Sequence, residues 1–135
     1  MIALVEASPD VALRRRRLVA LCSGLPEAVA ERAGTQHLAF KVKKKIFAYY
    51  AYDHHGDGRI ALLAKAPAGE QARLVGKSPR RFFVPPYVGA KGWVGFRLDT
   101  PAVDWKVVKG LVLAAYFMTA PVTLLRRLAA AVPAK

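Results

Sequence analysis

Residues 37–52 have the sequence HLAFKVKKKIFAYYAY, and this stretch decides the fold class. Leu38, Phe40 and Val42 alternate with small or basic residues, which is the two-residue period of a half-buried β-strand. The run from Ile46 to Tyr52 predicts a second strand with aromatic residues on both faces. Together they predict successive strands of an antiparallel sheet.

The alternating pattern continues towards the C-terminus. Residues 59–65 predict a third strand, and Asp57-Gly58 just before them is typical of a hairpin turn. Residues 92–98 predict a fourth strand. Residues 25–34 fit either a helical turn or an edge strand, and the sequence does not decide between them.

A helix is predicted on the N-terminal side of the sheet. Ser8 is a suitable N-cap, Pro9 suits the first turn, and Asp10 lies near the positive end of the helix dipole. The helix should run to about Cys22, with Gly24 as its stop.

Four consecutive arginines, Arg14 to Arg17, lie inside this helix. At about 100° per residue they cover most of its circumference, so they cannot share one solvent face. At least one must lay its stem along apolar surface. We expect the group to be solvated or to face a partner rather than to read bases.

Two further helices are predicted on the C-terminal side. The first begins near Thr100-Pro101 or at Asp104, and Pro121 separates it from the last. Residues 67–76 predict a short helix or turn. Terminal helices around a meander of strands predict an α+β fold, with two layers and one antiparallel sheet packed against the helices.

Length and composition favour one folded unit. The chain has 135 residues, 54% of them hydrophobic, and a formal charge of +13. That hydrophobic fraction excludes a disordered basic tail, and the length predicts a single domain over residues 1–135.

The cellular compartment is predicted from the cysteine content and from the lack of an evident signal peptide or membrane span. Cys22 is the only cysteine, which excludes an intrachain disulfide and a cysteine-based zinc site and suits a reducing environment. Residues 1–5 are too short an apolar run for a signal peptide. Lys109 and Pro121 interrupt residues 107–125, so this stretch predicts a core helix rather than a membrane span. We expect a cytoplasmic protein that does not insert into membranes.

Five short motifs occur in a fixed order along the chain: Lys45-Ile46-Phe47-Ala48, Pro86-Tyr87-Val88-Gly89, Lys91-Gly92-Trp93-Val94, Asp104-Trp105 and Ala115-Tyr116. With the order of predicted elements, this set resembles the small bacterial MmcQ/YjbR proteins over nearly the whole chain. The resemblance implies a two-layer fold like that of secretion chaperones, DNA binding through a pair of β-wings, and no agreed catalytic apparatus. The family commonly has Ser where this chain has Ala115, which puts in doubt a role for a hydroxyl there but not the fold.

The positive charge is concentrated in the middle of the chain. Residues 32–97 hold 13 basic residues and three acids, whereas the remainder holds nine basic residues and six acids. If the apolar residues of each strand face the helices, the opposite sheet face collects Lys41, Lys43, Arg59, Lys65 and Arg97 beside Trp93. Trp105, in contrast, is predicted to lie in the core.

This composition suits a nucleic-acid backbone, because lysine and arginine release counterions from phosphates and aromatic rings can stack on bases. The basic loops would extend the same surface. The candidate contact residues are Lys41, Lys43, Lys44, Lys45, Arg59, Lys65, Arg80, Arg81, Lys91, Trp93 and Arg97.

Sharper motifs fail on inspection. Gly76-Lys77-Ser78 looks like the end of a phosphate-binding loop, but Gln71 stands where that motif needs glycine and Pro79 blocks the following helix. Residues 53–57, with the sequence DHHGD, offer metal-binding groups, but adjacent histidines on a hairpin usually point apart, which favours a solvated turn.

No catalytic constellation is visible either. The serines lie in cap or turn contexts, and paired carboxylates are scarce. The leading hypothesis is therefore a non-enzymatic protein without cofactor or metal that binds duplex DNA with little sequence preference. A protein-interaction module that docks an acidic protein is the alternative, and a small-molecule enzyme with a deep pocket is the third.

Overall fold

The computed structural model describes residues 9–34, 37–53 and 58–131. These residues form four α-helices, one short 3-10 helix and six β-strands. The helices are α1 (Pro9–Ser23), α2 (Glu70–Lys77), α3 (Trp105–Thr119) and α4 (Val122–Ala131), and the 3-10 helix is Val88–Lys91. The strands are β1 (Ala28–Arg32), β2 (Leu38–Val42), β3 (Lys45–Tyr52), β4 (Ile60–Ala64), β5 (Phe82–Phe83) and β6 (Val94–Arg97).

The six strands form one sheet in the order β1-β2-β3-β4-β6-β5, and every neighbouring pair is antiparallel. The predicted meander is confirmed for β2, β3 and β4, which follow one another in the chain and in the sheet. The α+β class with an antiparallel sheet and helices is confirmed as well.

The sequence pattern does not establish two strands of the sheet, β1 and β5. The undecided segment 25–34 contains the edge strand β1, whose residues Ala28 and Arg32 pair with Val42 and Leu38. Strand β5 was not predicted, because two residues are too short for an alternating pattern. It is recognisable only by its pairing with β6 at the other edge.

A β-bulge in β3 changes which side chains of this strand face the core. Phe40 pairs with Ala48, whereas the next residue, Lys41, pairs with Ile46, so Phe47 is the extra residue. Because of this shift, Phe47 and Ala48 both join the main core. The Phe47 ring packs edge-on against Tyr116, with ring centroids 5.6 Å apart.

The main core lies between one face of the sheet, here called the helix face, and helices α1, α3 and α4. The helices contribute Leu18 and Cys22 from α1, Val112 from α3 and Leu124 from α4, all buried. Trp105 is only partly buried against this core, at the start of α3.

The boundaries of α3 follow their predicted signals. Asp104 is the N-cap, and its side chain accepts a hydrogen bond from the Lys106 backbone N–H at 3.0 Å. Of the two predicted starts, the one at Asp104 is therefore correct. Helix α3 ends at Thr119, and α4 begins after Pro121.

The arginines of α1 do not share one role. Arg14 donates hydrogen bonds to three backbone carbonyls, those of Leu98 (2.8 Å), Thr100 (2.6 Å) and Pro101 (3.0 Å). The expectation of a solvated or partner-facing group is therefore wrong for Arg14, because it ties α1 to the segment after β6. Arg17 lies over the Trp105 ring, 4.6 Å from its centroid, whereas Arg16 is exposed.

Some predictions fall outside the described residues, namely the Ser8 cap and the Asp57 turn position. Within the described ranges, no helix combines the length and apolar character that a membrane span requires. The stretch predicted as a core helix is divided between α3 and α4.

Candidate nucleic-acid interface

The hairpin between β2 and β3 ends in lysines. Val42 pairs with Lys45, so Lys43 and Lys44 form a two-residue turn, and their φ angles are +50° and +68°. Positive φ at both central positions is the type I′ pattern, in which Asn-Gly is favoured because ordinary side chains meet steric cost there. We call Lys43, Lys44 and Lys45 the lysine tip; all three are exposed.

Acidic residues from β1 and from the turn before it face this hairpin. Lys43 Nζ lies 2.7 Å from Glu27 Oε1, and Lys41 Nζ lies 2.8 Å from Glu31 Oε1. Glu27 also accepts from Arg127 at 3.0 Å. The hydrogen bond from Lys43, followed by the charge of Lys43, lowers the pKa of the Glu27 carboxyl. Such exposed ion pairs contribute little to stability, because water screens them, so they hold the lysines only weakly.

Lys41 and Lys65 bring further charge to the same end of the sheet. Lys41 pairs with Ile46 across the β2–β3 ladder, on the face opposite the helices, which we call the outer face. The Lys65 backbone N–H donates to the Phe47 carbonyl at 3.1 Å, beside Ile46 in β3. The lysine tip, Lys41 and Lys65 thus form a basic end of the sheet with Glu27 and Glu31 as its acidic neighbours.

The predicted arginines gather at the opposite end, and their side chains are engaged. The Arg59 guanidinium lies over the Phe83 ring, 4.2 Å from its centroid. Arg97 forms two hydrogen bonds with Asp99, at 2.9 and 3.1 Å. Arg81 donates to Ser78 Oγ at 3.2 Å and lies near the Phe82 ring.

A continuous basic sheet face is not what the structure contains. The centre of the outer face is a second apolar cluster that includes Ala51, Ala61, Leu63, Phe83 and Trp93. Trp93 is only 6% exposed, so the expected exposed ring beside the lysines is wrong. Residues 84–92, which we call the Tyr87 loop, run over this face of the sheet, and Val88 from the loop and Tyr49 from β3 pack against the cluster that contains Trp93.

The remaining candidates are distributed between these regions. Lys43 lies in the turn and not on the strand face where alternation placed it. Arg80 is exposed in the turn after α2, and Lys91 is exposed at the end of the 3-10 helix. The structure therefore groups Lys41, Lys43, Lys44, Lys45 and Lys65, and it separates them from Arg59, Arg81 and Arg97.

Three of the acids that pair with basic residues of the central segment come from outside residues 32–97. Glu27, Glu31 and Asp99 lie just beyond that segment, yet they pair with Lys43, Lys41 and Arg97. A count along the sequence could not reveal this, because the register of β1 and the bend after β6 determine which charges meet.

A cavity of about 350 Å³ opens on the outer face beneath the Tyr87 loop. Its walls come from the sheet, from the residues near the β1–β2 connection and from the loop itself. They are Ala33, His37, Tyr49, Tyr50, Ala51, Leu63, Pro86, Tyr87 and Val88. No carboxylate is among these lining residues.

Tyr87 has an unusual backbone at the mouth of this cavity. Its φ and ψ are +64° and −68°, and the Val88 N–H donates to the Pro86 carbonyl at 2.7 Å. This is the rare γ-turn with positive φ, a strained conformation of a kind that costs about 1–3 kcal/mol. Tyr87 is nevertheless 75% exposed, so its ring adds little to the core.

Sequence reasoning did not select Tyr87, Tyr49 or His37 as site residues. The available signal was the Pro86-Tyr87-Val88-Gly89 motif, which served only to indicate the family. The Tyr49 ring lies 5.8 Å from the Trp93 ring, and His37 Nδ1 accepts a hydrogen bond from the Tyr52 N–H at 3.0 Å. These contacts depend on strand register, which the motif does not specify.

The rejected chemical motifs remain unsupported where the structure describes them. Gly76 and Lys77 end helix α2, whereas a phosphate-binding loop precedes its helix. Among the described residues no group of three metal-ligating side chains occurs, and residues 54–57 lie outside them. Burial raises the pKa of the Cys22 thiol to about 12, which disfavours a nucleophilic thiolate.

The architecture defines a class of small α+β proteins with an antiparallel sheet backed by helices on one face. A solved structure of the same fold is that of Deinococcus radiodurans protein DR2400, whose domain is described as DUF419. It is similar with a TM-score of 0.64 and 22% identity over 77% of this chain and 76% of that chain, which shows the fold alone.

The family follows from the sequence match. The family model described as YjbR matches residues 23–118, so the chain belongs to the YjbR family. No curated protein matches the chain. The predicted family resemblance is thereby confirmed.

Proposed function

We propose that this protein binds nucleic acid by contacting the phosphate backbone with the lysine tip, Lys41 and Lys65. The observation that carries the proposal is the two-residue turn in which Lys43 and Lys44 both have positive φ. Asparagine and glycine would satisfy that turn with less strain, so lysine at both positions favours a role for the charge itself.

The electrostatics of this end of the sheet support the proposal. Five lysines and Arg127 face two carboxylates there, which leaves an excess of four positive charges. The pairs with Glu27 and Glu31 are exposed and weak, so a phosphate can replace either carboxylate at little cost. Binding would then be favoured by the counterions that the lysines release from the backbone.

The kind of recognition follows from the residue type. Lysine is a point charge on a flexible stem, whereas bidentate reading of a base edge is typical of arginine. Arg59, Arg97 and Arg81 are engaged with Phe83, Asp99 and Ser78 instead. We therefore expect binding to duplex DNA that depends strongly on salt and weakly on sequence, without an enzymatic step.

Fluorescence anisotropy with labelled duplex DNA over a series of salt concentrations tests the proposal. The variant K43Q/K44Q/K45Q should bind more weakly, and its plot of log K against log salt should be shallower by about 0.9 for each lysine that neutralised a phosphate. The matched control K106Q/K109Q/R126Q removes three exposed charges from α3 and α4 instead.

Two results would contradict the proposal. Absence of binding by the wild type at low salt would exclude a nucleic-acid function of this surface. Equal losses in the two triple variants would indicate a general charge effect without a localised interface. Copurification of a stoichiometric acidic protein that resists nuclease would favour the protein-interaction alternative.

A further inference from the structure

The cavity beneath the Tyr87 loop has the features of a ligand site that the phosphate-binding surface does not use. Its volume of about 350 Å³ lies within the range of small-molecule sites. Its walls combine apolar side chains, such as Leu63, with the rings of Tyr49 and Tyr87 and with the imidazole of His37. Such sites are commonly apolar with a few polar groups that orient the ligand.

The strained backbone of Tyr87 indicates that this residue has a functional role in addition to any packing role. Tyr87 adopts the positive-φ γ-turn although its ring is mostly exposed, so burial of the ring does not compensate for the strain. Strained residues of this kind persist where the surrounding structure holds them, and they concentrate at binding sites.

The surrounding structure does hold this loop. Gln71 Nε2 donates to the carbonyls of Gly89 (2.8 Å) and Trp93 (2.6 Å), which ties the Tyr87 loop to helix α2. Within the loop, the Gly89 N–H donates to the Pro85 carbonyl at 3.0 Å. A Cβ at Gly89 would lie 2.6 Å from Val84 Cγ1, so a larger residue there would have to displace the Val84 side chain. These hydrogen bonds hold the backbone of the loop in place around Tyr87.

The side chains that line the cavity indicate which class of ligand it would bind. Two tyrosine rings favour a flat aromatic ligand by stacking. The polar groups, namely the tyrosine hydroxyls and His37, favour a ring that carries hydrogen-bonding atoms. His37 Nδ1 accepts from Tyr52 N–H, so in the neutral imidazole the other nitrogen, Nε2, carries the proton.

Charge complementarity adds a preference for an anionic ligand. The lining contains no carboxylate, the chain carries +13, and Lys41 and Lys65 lie on the same outer face. We propose that the cavity between Tyr49, Leu63 and Tyr87 binds the heteroaromatic ring of a nucleotide. The ring can come from a free mononucleotide or from an unpaired base of a strand.

Trp93 provides the readout, because its ring contacts Tyr49 in the wall of the cavity. In a W105F background Trp93 is the only tryptophan. Titration with AMP, GMP, CMP and UMP should change its fluorescence in a saturable way for at least one of them. Ribose 5-phosphate, which lacks the ring, should have no effect. No saturable change with any of the four at millimolar concentration would overturn the proposal.

Variants distinguish stacking from an indirect effect. Y87A should weaken binding of the responsive nucleotide by about 5- to 150-fold, the usual effect of removing one stacking ring. Y87F keeps the ring and should bind within a few-fold of the wild type. F117A is the matched control, since Phe117 is a half-exposed aromatic residue on α3, and it should bind normally. Equal affinity of Y87A and the wild type would contradict the assignment.

Competition identifies the source of the ring. A single-stranded oligonucleotide that displaces the mononucleotide, while the same strand with abasic sites does not, assigns the ring to a polymer. Failure of both strands to displace it assigns the site to a free nucleotide.

The inference stands apart from the proposed function. If K43Q/K44Q/K45Q loses duplex binding but keeps the Trp93 response, the two surfaces are separate. A protein that lacks duplex binding but shows the response would overturn only the proposed function.

Discussion

The ring of Phe83 occupies the space that a side chain at Gly95 would need. A Cβ atom added to Gly95 would lie 2.5 Å from Phe83 Cζ, and the Arg59 guanidinium lies over the same ring, 4.2 Å from its centroid. Phe83 and Gly95 are paired residues of β5 and β6, so the small residue on one strand makes room for the large residue on the other.

We expect G95A to destabilise the protein by about 1–3 kcal/mol, because the buried Phe83 ring must move against its neighbours. The free energy of unfolding in urea measures this. G110A is the control: no atom lies within 4 Å of a Cβ at this position in α3, so alanine should stabilise by about 1 kcal/mol. Equal stability of G95A and the wild type would show that the ring is not confined.

The strain of the lysine tip predicts a trade-off between stability and binding. In K44G, glycine accepts the positive φ of this position without steric cost, so unfolding should require about 1 kcal/mol more. Its affinity for duplex DNA should fall, because a charge is lost. K45Q removes a neighbouring charge outside the two-residue turn and should leave stability unchanged. If K44G were both unchanged in stability and normal in binding, the functional interpretation of the turn would fail.

Arg14 and Arg16 are the same residue type, two positions apart in α1, but we expect their substitution to change the stability of the protein by different amounts. R14Q should cost about 1.5–3 kcal/mol, because the charged hydrogen bonds to the carbonyls of Leu98, Thr100 and Pro101 are lost. R16Q should change stability by less than about 0.5 kcal/mol, since Arg16 is exposed. R14K should also be less stable than the wild type, because one ammonium group cannot reproduce the planar set of donors that arginine offers to the three carbonyls. Similar effects of R14Q and R16Q would contradict the anchoring role.

The Cys22 thiol should be protected in the native protein. Burial raises its pKa from 9.0 to about 12, so at pH 8 only about one native thiol in ten thousand is ionised. Alkylation by iodoacetamide at pH 8 should therefore be slow in buffer and fast in denaturant. Comparable rates would exclude the buried environment.

The same shift has a consequence for stability. The folded thiol keeps its proton between pH 9.0 and about 12, whereas the unfolded thiol loses it. The contribution of Cys22 is thus constant below about pH 9 and declines as the pH rises from there. The stability difference between wild type and C22A should fall over that interval, and a constant difference would contradict the shift.

Much of the fold could be predicted from local patterns. The alternation of Leu38, Phe40 and Val42 predicted β2 because a sheet with one buried face imposes that period. Asp104 and Pro121 marked helix boundaries because capping and the missing proline N–H act within a few residues. Strand β5 escaped prediction because its identity rests on pairing with β6.

The candidate site was predictable in its charges but not in its arrangement. Lysines 43, 44 and 45 stand together in the sequence, so their cluster was evident. The burial of Trp93 depends on the apolar cluster of the outer face, against which Val88 from the Tyr87 loop and Tyr49 from β3 pack. The partners of Lys41 and Arg97, Glu31 and Asp99, depend on strand register and on the bend after β6.

The sequence by itself determined the α+β class, the family resemblance and the excess of positive charge, because periodicity, short motifs and composition are properties of neighbouring residues. Only the tertiary structure decided that the lysine tip lies at one end of the sheet and Arg59, Arg81 and Arg97 at the other, with an apolar cluster on the outer face between them. The physical reason is that charge neutralisation and burial depend on distances between residues far apart in the chain, which strand pairing and the course of the Tyr87 loop set.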